Sequence, residues 1–209
     1  VMPYCGGGDL FQVVDDYLRE NPTSHGLPEP QVRYWFRQML EGMKYLQSCG
    51  ICHRDLSPEN VIINEDKCLI IDLGMSLRVP YSSTEPDNTS VTDVTQGTQR
   101  RLIIPQGQCG KRRYMSPEIW RNRENFDGFA VDIWTAGTIL FFMLTGQTYL
   151  EPYDAIFNAM VIDLSGLLRH WNMNVSDDAI DLLQRILVED PRERLTLEEI
   201  ATHAWVTAS

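Results

Sequence analysis

The run from Ala130 to Leu144 limits the fold of this chain more than any other stretch. It reads Ala-Val-Asp-Ile-Trp-Thr-Ala-Gly-Thr-Ile-Leu-Phe-Phe-Met-Leu, apolar on nearly every side of a helix. Such a helix has no solvent face and must be wrapped by other elements. Its most apolar part, Ile133 to Leu144, is too short to span a bilayer, and Asp132 stands at its start, so a helix buried in protein is expected. A carboxylate enclosed at that point needs hydrogen-bond donors from elsewhere in the chain. A second helix is written between Pro30 and Leu46. Val32, Trp35, Phe36, Met39, Leu40, Met43 and Leu46 follow i, i+3, i+4, i+7 for four turns, which makes one apolar face. Trp35 and Phe36 lie on that stripe and belong to the core. With 209 residues, 43% of them hydrophobic, the chain can bury one substantial core as a single large domain or lobe.

After a turn at Gly50 the amphipathic helix leads into His53-Arg54-Asp55-Leu56-Ser57-Pro58-Glu59-Asn60. A carboxylate, a guanidinium and a carboxamide share one short loop ahead of the strand Val61-Ile62-Ile63. An acceptor hydroxyl needs a carboxylate to orient it and take its proton, which Asp55 can supply. A cation among nucleotide phosphates needs hard oxygen ligands, and the Asn60 amide oxygen is one. A second apolar run, Leu69-Ile70-Ile71, closes a hairpin and delivers Asp72-Leu73-Gly74 to the same end, so Asp72 is the second candidate ligand. A loop Asp and Asn are also ordinary turn formers. Their five-residue separation and the Asp72 partner favour phosphoryl-transfer chemistry.

These motifs, with Ser116-Pro117-Glu118, Asp132-x-Trp134-x-x-Gly137 and Arg194, resemble the C-terminal lobe of a eukaryotic protein kinase over nearly the whole chain. The style is that of serine/threonine kinases, nearest to the calmodulin-dependent group, since Pro58-Glu59-Asn60 follows the serine/threonine pattern. The resemblance implies an α+β, protein kinase-like fold, mainly helical, with a small β-hairpin at the catalytic loop. It divides residues 1–209 into a hinge at 1–8, a catalytic loop at 53–60 and an activation segment at 72–118. ATP and Mg2+ are the implied cofactors, with Asn60 and Asp72 as metal ligands. Met2 stands at the gatekeeper position, Pro3 and Cys5 would meet the adenine edge through backbone, and Ile62 would lie beneath it. Asp9 would face the ribose or a basic substrate side chain; a helix N-cap is its equal alternative. His53 is implied as a packing residue, Arg54 as the partner of a phosphorylated activation-segment residue, Asp132 as the holder of the catalytic-loop backbone. Glu118 and Arg194 are implied to form a buried ion pair. Asp9 and Glu59 together suggest basic residues before the acceptor.

The chain departs from the family pattern in several places. Ser57 replaces the usual lysine beside the transferred phosphate, and Lys111 replaces the usual threonine before Tyr114-Met115. In the family fold those positions meet beside the catalytic aspartate, so a swap is expected: Lys111 supplies the ammonium and Ser57 the hydroxyl. The competing account is a lost lysine and a weakened enzyme. Leu73 in place of phenylalanine keeps an apolar plug. Tyr81 to Thr98, rich in Ser, Thr, Asp and Pro, reads as a mobile insertion. Gly107 stands where many relatives carry an activating phosphosite, which leaves Thr95 and Thr98 as candidates or a mechanism that needs no phosphate.

The formal charge of -11 argues against nucleic acid or anionic membrane as the main partner. Cys49-x-x-Cys52 has no second pair and reads as packing. Reduced thiols and the lack of a leader at Val1 fit an intracellular, cytoplasmic signalling protein acting on a protein substrate. A Gly-rich loop, a strand lysine and a helix glutamate, which the family places ahead of the hinge, are not in this sequence. The chain is therefore expected to be a fragment without the N-terminal lobe and poorly active alone. A protein kinase is the reading adopted; a non-catalytic pseudokinase or binding module is the alternative.

Overall fold

A computed structural model describes residues 6–82, 90–93, 98–147 and 164–208. In chain order they form α1 (Leu10–Glu20), α2 (Glu29–Ser48), β1 (Ile51–Cys52), β2 (Val61–Asn64), β3 (Lys67–Ile70), β4 (Leu77–Arg78), β5 (Tyr81–Ser82), β6 (Ser90–Asp93) and β7 (Thr98–Arg101). There follow α3 (Pro117–Arg121), α4 (Gly128–Thr145), α5 (Leu164–His170), α6 (Asp177–Ile186), α7 (Leu197–Thr202) and α8 (Ala204–Thr207). Short 3-10 turns stand at Pro58–Asn60, Leu73–Met75 and Arg112–Tyr114. Helices with small sheets are what the resemblance implies.

All 18 residues of α4 are buried. The helix is longer than the apolar run that announces it, because its ends are set by caps. The Asp127 side chain accepts from Phe129 N–H at one end, and Gly146 turns the chain at φ 64° at the other. At 18 residues and a mean hydropathy of 1.5 it is long and apolar enough to cross a membrane by those measures, yet every residue is covered by protein. α2 packs its Val32, Trp35, Phe36, Met39, Leu40 and Met43 stripe into the same core. α6 comes so close that a Cβ on Gly137 would sit 2.4 Å from Ile186 Cγ2. Each fully buried side chain here, such as Phe36, Ile139 or Leu140, stabilises the fold by about 1.5–3 kcal/mol relative to exposure.

The strands serve the loops. β2 and β3 pair antiparallel with Val61 opposite Ile70 and Ile62 opposite Leu69, and Ile71 N–H donates to Asn60 O at 2.9 Å. The two candidate loops therefore open at the same end, as the sequence implies. β1 pairs β4, and β5 and β6 both pair β7. The described parts of the 81–98 stretch, read from sequence as a mobile insertion, carry strand backbone. Its remaining residues, Thr95 among them, lie outside the described residues. So do residues 1–5 of the expected hinge.

Arg194 anchors the C-terminal part of the core. It meets Glu118 through Nη1 at 2.6 Å and Nη2 at 2.8 Å, and donates further to Val188 O, Glu189 O and Ala130 O. A buried guanidinium so fully partnered is a register device between α3 and the chain after α6.

Candidate active site

The 53–60 loop, the expected catalytic loop, hangs from the start of α4. Asp132, 4% exposed, accepts from His53 N–H at 2.6 Å and Arg54 N–H at 2.8 Å. Burial pushes its carboxyl up to about 6, against the lowering effect of those two donors. The backbone it holds is constrained: Arg54 sits at φ 67°, a left-handed conformation unfavourable for a branched-free but bulky side chain. His53 is fully buried, with Nε2 at 2.9 Å from Ile71 O and Nδ1 accepting from Asp55 N–H. That network assigns the Nε2-protonated tautomer and ties the catalytic loop to the chain just before Asp72. The packing role expected of His53 holds.

Asp55 is half-buried, and its Oδ1 is enclosed without a hydrogen-bond partner among the described residues. Burial raises its carboxyl above the usual range, while the Lys111 charge and a hydrogen bond from the Lys111 backbone pull the other way. Asn60 donates through Nδ2 to Asp55 O at 2.7 Å, so the carboxamide oxygen is the end left for a cation. Asp72 is exposed, lies in the left-handed region at φ 62°, and accepts from Gly74 N–H at 3.2 Å. Aspartate tolerates that conformation better than most residues. One amide and one carboxylate oxygen on adjoining loops fit the hard-ligand chemistry of magnesium.

Lys111 arrives from the far side. Its Nζ donates to Ser57 Oγ at 3.0 Å and lies 3.0 Å from Glu59 Oε1. The approach requires glycine at 110: at φ 84°, a Cβ there would fall 2.8 Å from Arg54 O and 3.5 Å from Asp55 Oδ1. Ser57 and Lys111 meet as the swap expects. Glu59 was not foreseen as the third member of this cluster, although its opposite charge two residues from Ser57 is a legible signal. Its Oε2 is buried and unpartnered among the described residues.

Asp9 caps α1, its Oδ1 accepting from Gln12 N–H at 2.9 Å, which is the alternative reading of that residue. Ile62 is half-buried on β2 and bridges Asp9. Met2, Pro3 and Cys5 lie outside the described residues. Leu73, expected as an apolar plug, is 49% exposed among the described residues, because nothing described covers it. Arg54 is 8% exposed, with its guanidinium 5.5 Å from the Phe126 ring centroid and Nη1 donating to Met75 O at 3.3 Å. Cys49 and Cys52 are both free thiols, one exposed and one buried, and burial pushes Cys52 up to about 12. A thiol so raised is unreactive, which fits packing.

Comparison with known proteins accords with this geometry. The sequence model of the family described as protein kinase domain matches residues 1–206. The chain is 34% identical over 99% of its length to the probable serine/threonine-protein kinase HSL1 of Saccharomyces cerevisiae, covering 12% of that protein. It is 36% identical over 99% of its length to the probable serine/threonine-protein kinase MARK-B of Dictyostelium discoideum, covering 25% of it. It is 30% identical over 99% of its length to the serine/threonine-protein kinase chk-1 of Caenorhabditis briggsae, covering 37% of it. The chain therefore spans well under half the length of these relatives.

Proposed function

The chain belongs to the protein kinase domain family, and from that premise we propose that it carries the catalytic loops of a protein serine/threonine kinase. The observation that carries this reading is the buried Oδ1 of Asp55, a carboxylate oxygen without a hydrogen-bond partner among the described residues, next to Lys111 and Asn60. Magnesium-bound ATP would supply the γ-phosphoryl group, with Asn60 and Asp72 as the ligands this chain offers the metal. Asp55 orients the acceptor hydroxyl and takes its proton as the new O–P bond forms and the bond to the ADP oxygen breaks. The Lys111 ammonium, held by Ser57 and Glu59, offsets negative charge on the phosphoryl group in transit. Ser57 fixes the direction of that ammonium.

Basic residues before the acceptor remain the proposed substrate preference, received by Asp9 through its Oδ2. Glu59 Oε1 and Asp9 Oδ1 already serve Lys111 and the α1 cap, and Glu59 Oε2 is enclosed, which narrows the basis of that preference to one carboxylate oxygen, Asp9 Oδ2. The test is phosphorylation of a serine- or threonine-containing protein by the intact protein and its Asp55→Asn variant, beside thermal shift with ATP with and without magnesium. Magnesium-dependent stabilisation in both proteins, with transfer lost at least about a hundredfold in the variant, is expected. Stabilisation without transfer in the unmodified protein would move the reading to a nucleotide-binding pseudokinase, and neither signal would leave a protein-binding module.

A further inference from the structure

The start of α4 holds two parts of the site at once. Asp132 takes the backbone of the catalytic loop. Five residues earlier, Asp127 gives Oδ1 to the α4 cap at 3.0 Å and Oδ2 to Arg100 Nη2 at 2.8 Å. The side chains of that ion pair are 13% and 11% exposed, so salt screens it little. The Arg100 guanidinium also lies 4.9 Å from the Phe129 ring centroid. Three residues on, Ile103 and Phe126 exchange two backbone hydrogen bonds, at 2.8 and 2.9 Å. The same Phe126 presents its ring to Arg54. From Ile103 the chain runs directly to Gly110, packed on Arg54 O, and to Lys111.

We propose that Arg100 is a positioning residue for phosphoryl transfer: by pairing with Asp127 it holds the segment that carries Lys111 in register with the loop that carries Asp55, without a phosphate on that segment. The inference rests on the kinase reading above. A buried ion pair is weak evidence of stability, because desolvation offsets its attraction, but it fixes register well. Removing Arg100 leaves the Asp127 carboxylate enclosed without the cation that faces it. Arg54, the cation to which the resemblance assigns a phosphate, has its guanidinium over the Phe126 ring and Nη1 on Met75 O, with Nε enclosed and unpartnered among the described residues. The segment is anchored by a cation it brings itself.

The test uses the full-length protein. Arg100→Met should lower kcat about tenfold to a hundredfold, with the KM for ATP within about twofold, as expected when reacting groups are displaced rather than binding lost. Arg100→Lys should recover part of that loss. Amide hydrogen exchange over residues 101–113 should speed up at least about tenfold in Arg100→Met. Phosphatase treatment should leave the unmodified protein's kcat unchanged. Unchanged exchange over 101–113 in Arg100→Met overturns the proposal whatever the activity does. So does an unchanged kcat, or loss of activity on phosphatase treatment. The unmodified protein and Asp55→Asn run alongside keep the two apart: no transfer by the unmodified protein removes the kinase reading, transfer by Asp55→Asn removes the role given to Asp55, and the exchange result decides the positioning of the segment in either case.

Discussion

Lys111 is where the sequence departs furthest from the family pattern and where the geometry is most informative. An ammonium 3.0 Å from both Ser57 Oγ and Glu59 Oε1 is held by a hydroxyl and a carboxylate at once, beside the Asp55 carboxyl that it pulls down. Lys111→Thr should therefore do two things. Losing a cation aimed at the phosphoryl group should lower kcat about a hundredfold. Losing its field should let burial dominate Asp55, raise that carboxyl further, and move the acid limb of the kcat–pH profile upward. Restoring the family arrangement with Ser57→Lys/Lys111→Thr should recover most of the turnover. Near-normal turnover in Lys111→Thr alone sinks the swap, and a lowered rate with an unmoved acid limb reduces Lys111 to a structural role. The meeting of Ser57 and Lys111 was legible because each replaces what the other usually supplies. Glu59 was read instead for substrate preference, since sequence does not say which neighbour claims a carboxylate.

Among elements, α4 decides most. A helix buried all round has no freedom to rotate, so a side chain on its first turns is a fixed point, and Asp132 uses that rigidity to hold two amides of the catalytic loop. Asp132→Asn keeps the volume but faces a donor with a donor. It should cost about 2–4 kcal/mol of stability and accelerate exchange of the His53 and Arg54 amides; unchanged exchange there would show that the loop is held by other means. Elements defined by periodicity were legible: the α2 stripe, the α4 core and the β2–β3 hairpin all stand where apolar spacing put them. The ends of α4 were not, because Asp127 and Gly146 set them and not hydropathy. The pairing of β5 and β6 with β7 left no apolar alternation to read, since polar residues such as Ser82, Ser90 and Thr98 contribute backbone to it. The exposure of Leu73 depends on what lies over it, which composition cannot state.

At the scale of the whole molecule, Glu29 closes the helical layers. Standing in the first turn of α2, it accepts from Ser176 N–H at 2.7 Å and Ser176 Oγ at 2.8 Å at the start of α6, and from Trp205 Nε1 at 2.8 Å on α8. Arg33 Nε and Arg37 Nε, from the same helix, donate to Trp205 O and Val206 O. Burial raises the Glu29 carboxyl, but the Trp205 and Ser176 hydrogen bonds and the Arg33 charge outweigh it, and the net shift is downward. A depressed carboxyl contributes stability that is present above its unfolded value near 4.5 and is lost as pH falls through the folded value. Asp132 acts with the opposite sign: held at about 6, its contribution is complete below 3.8 and is lost as pH rises through 6. Raw acid-unfolding curves mix the two. The difference between the unmodified chain and Glu29→Gln cancels Asp132 and isolates the clasp. At pH 7 the variant should be less stable by about 1 kcal/mol after allowing for solvent screening, which is roughly 2–4 °C in Tm for a chain of this size. Below about pH 4 the two melting temperatures should converge. A gap that persists undiminished into acid would mean that Glu29 acts through packing and not through its charge, and the hydrogen-bonded closure of α8 onto α2 would then rest on the two arginines.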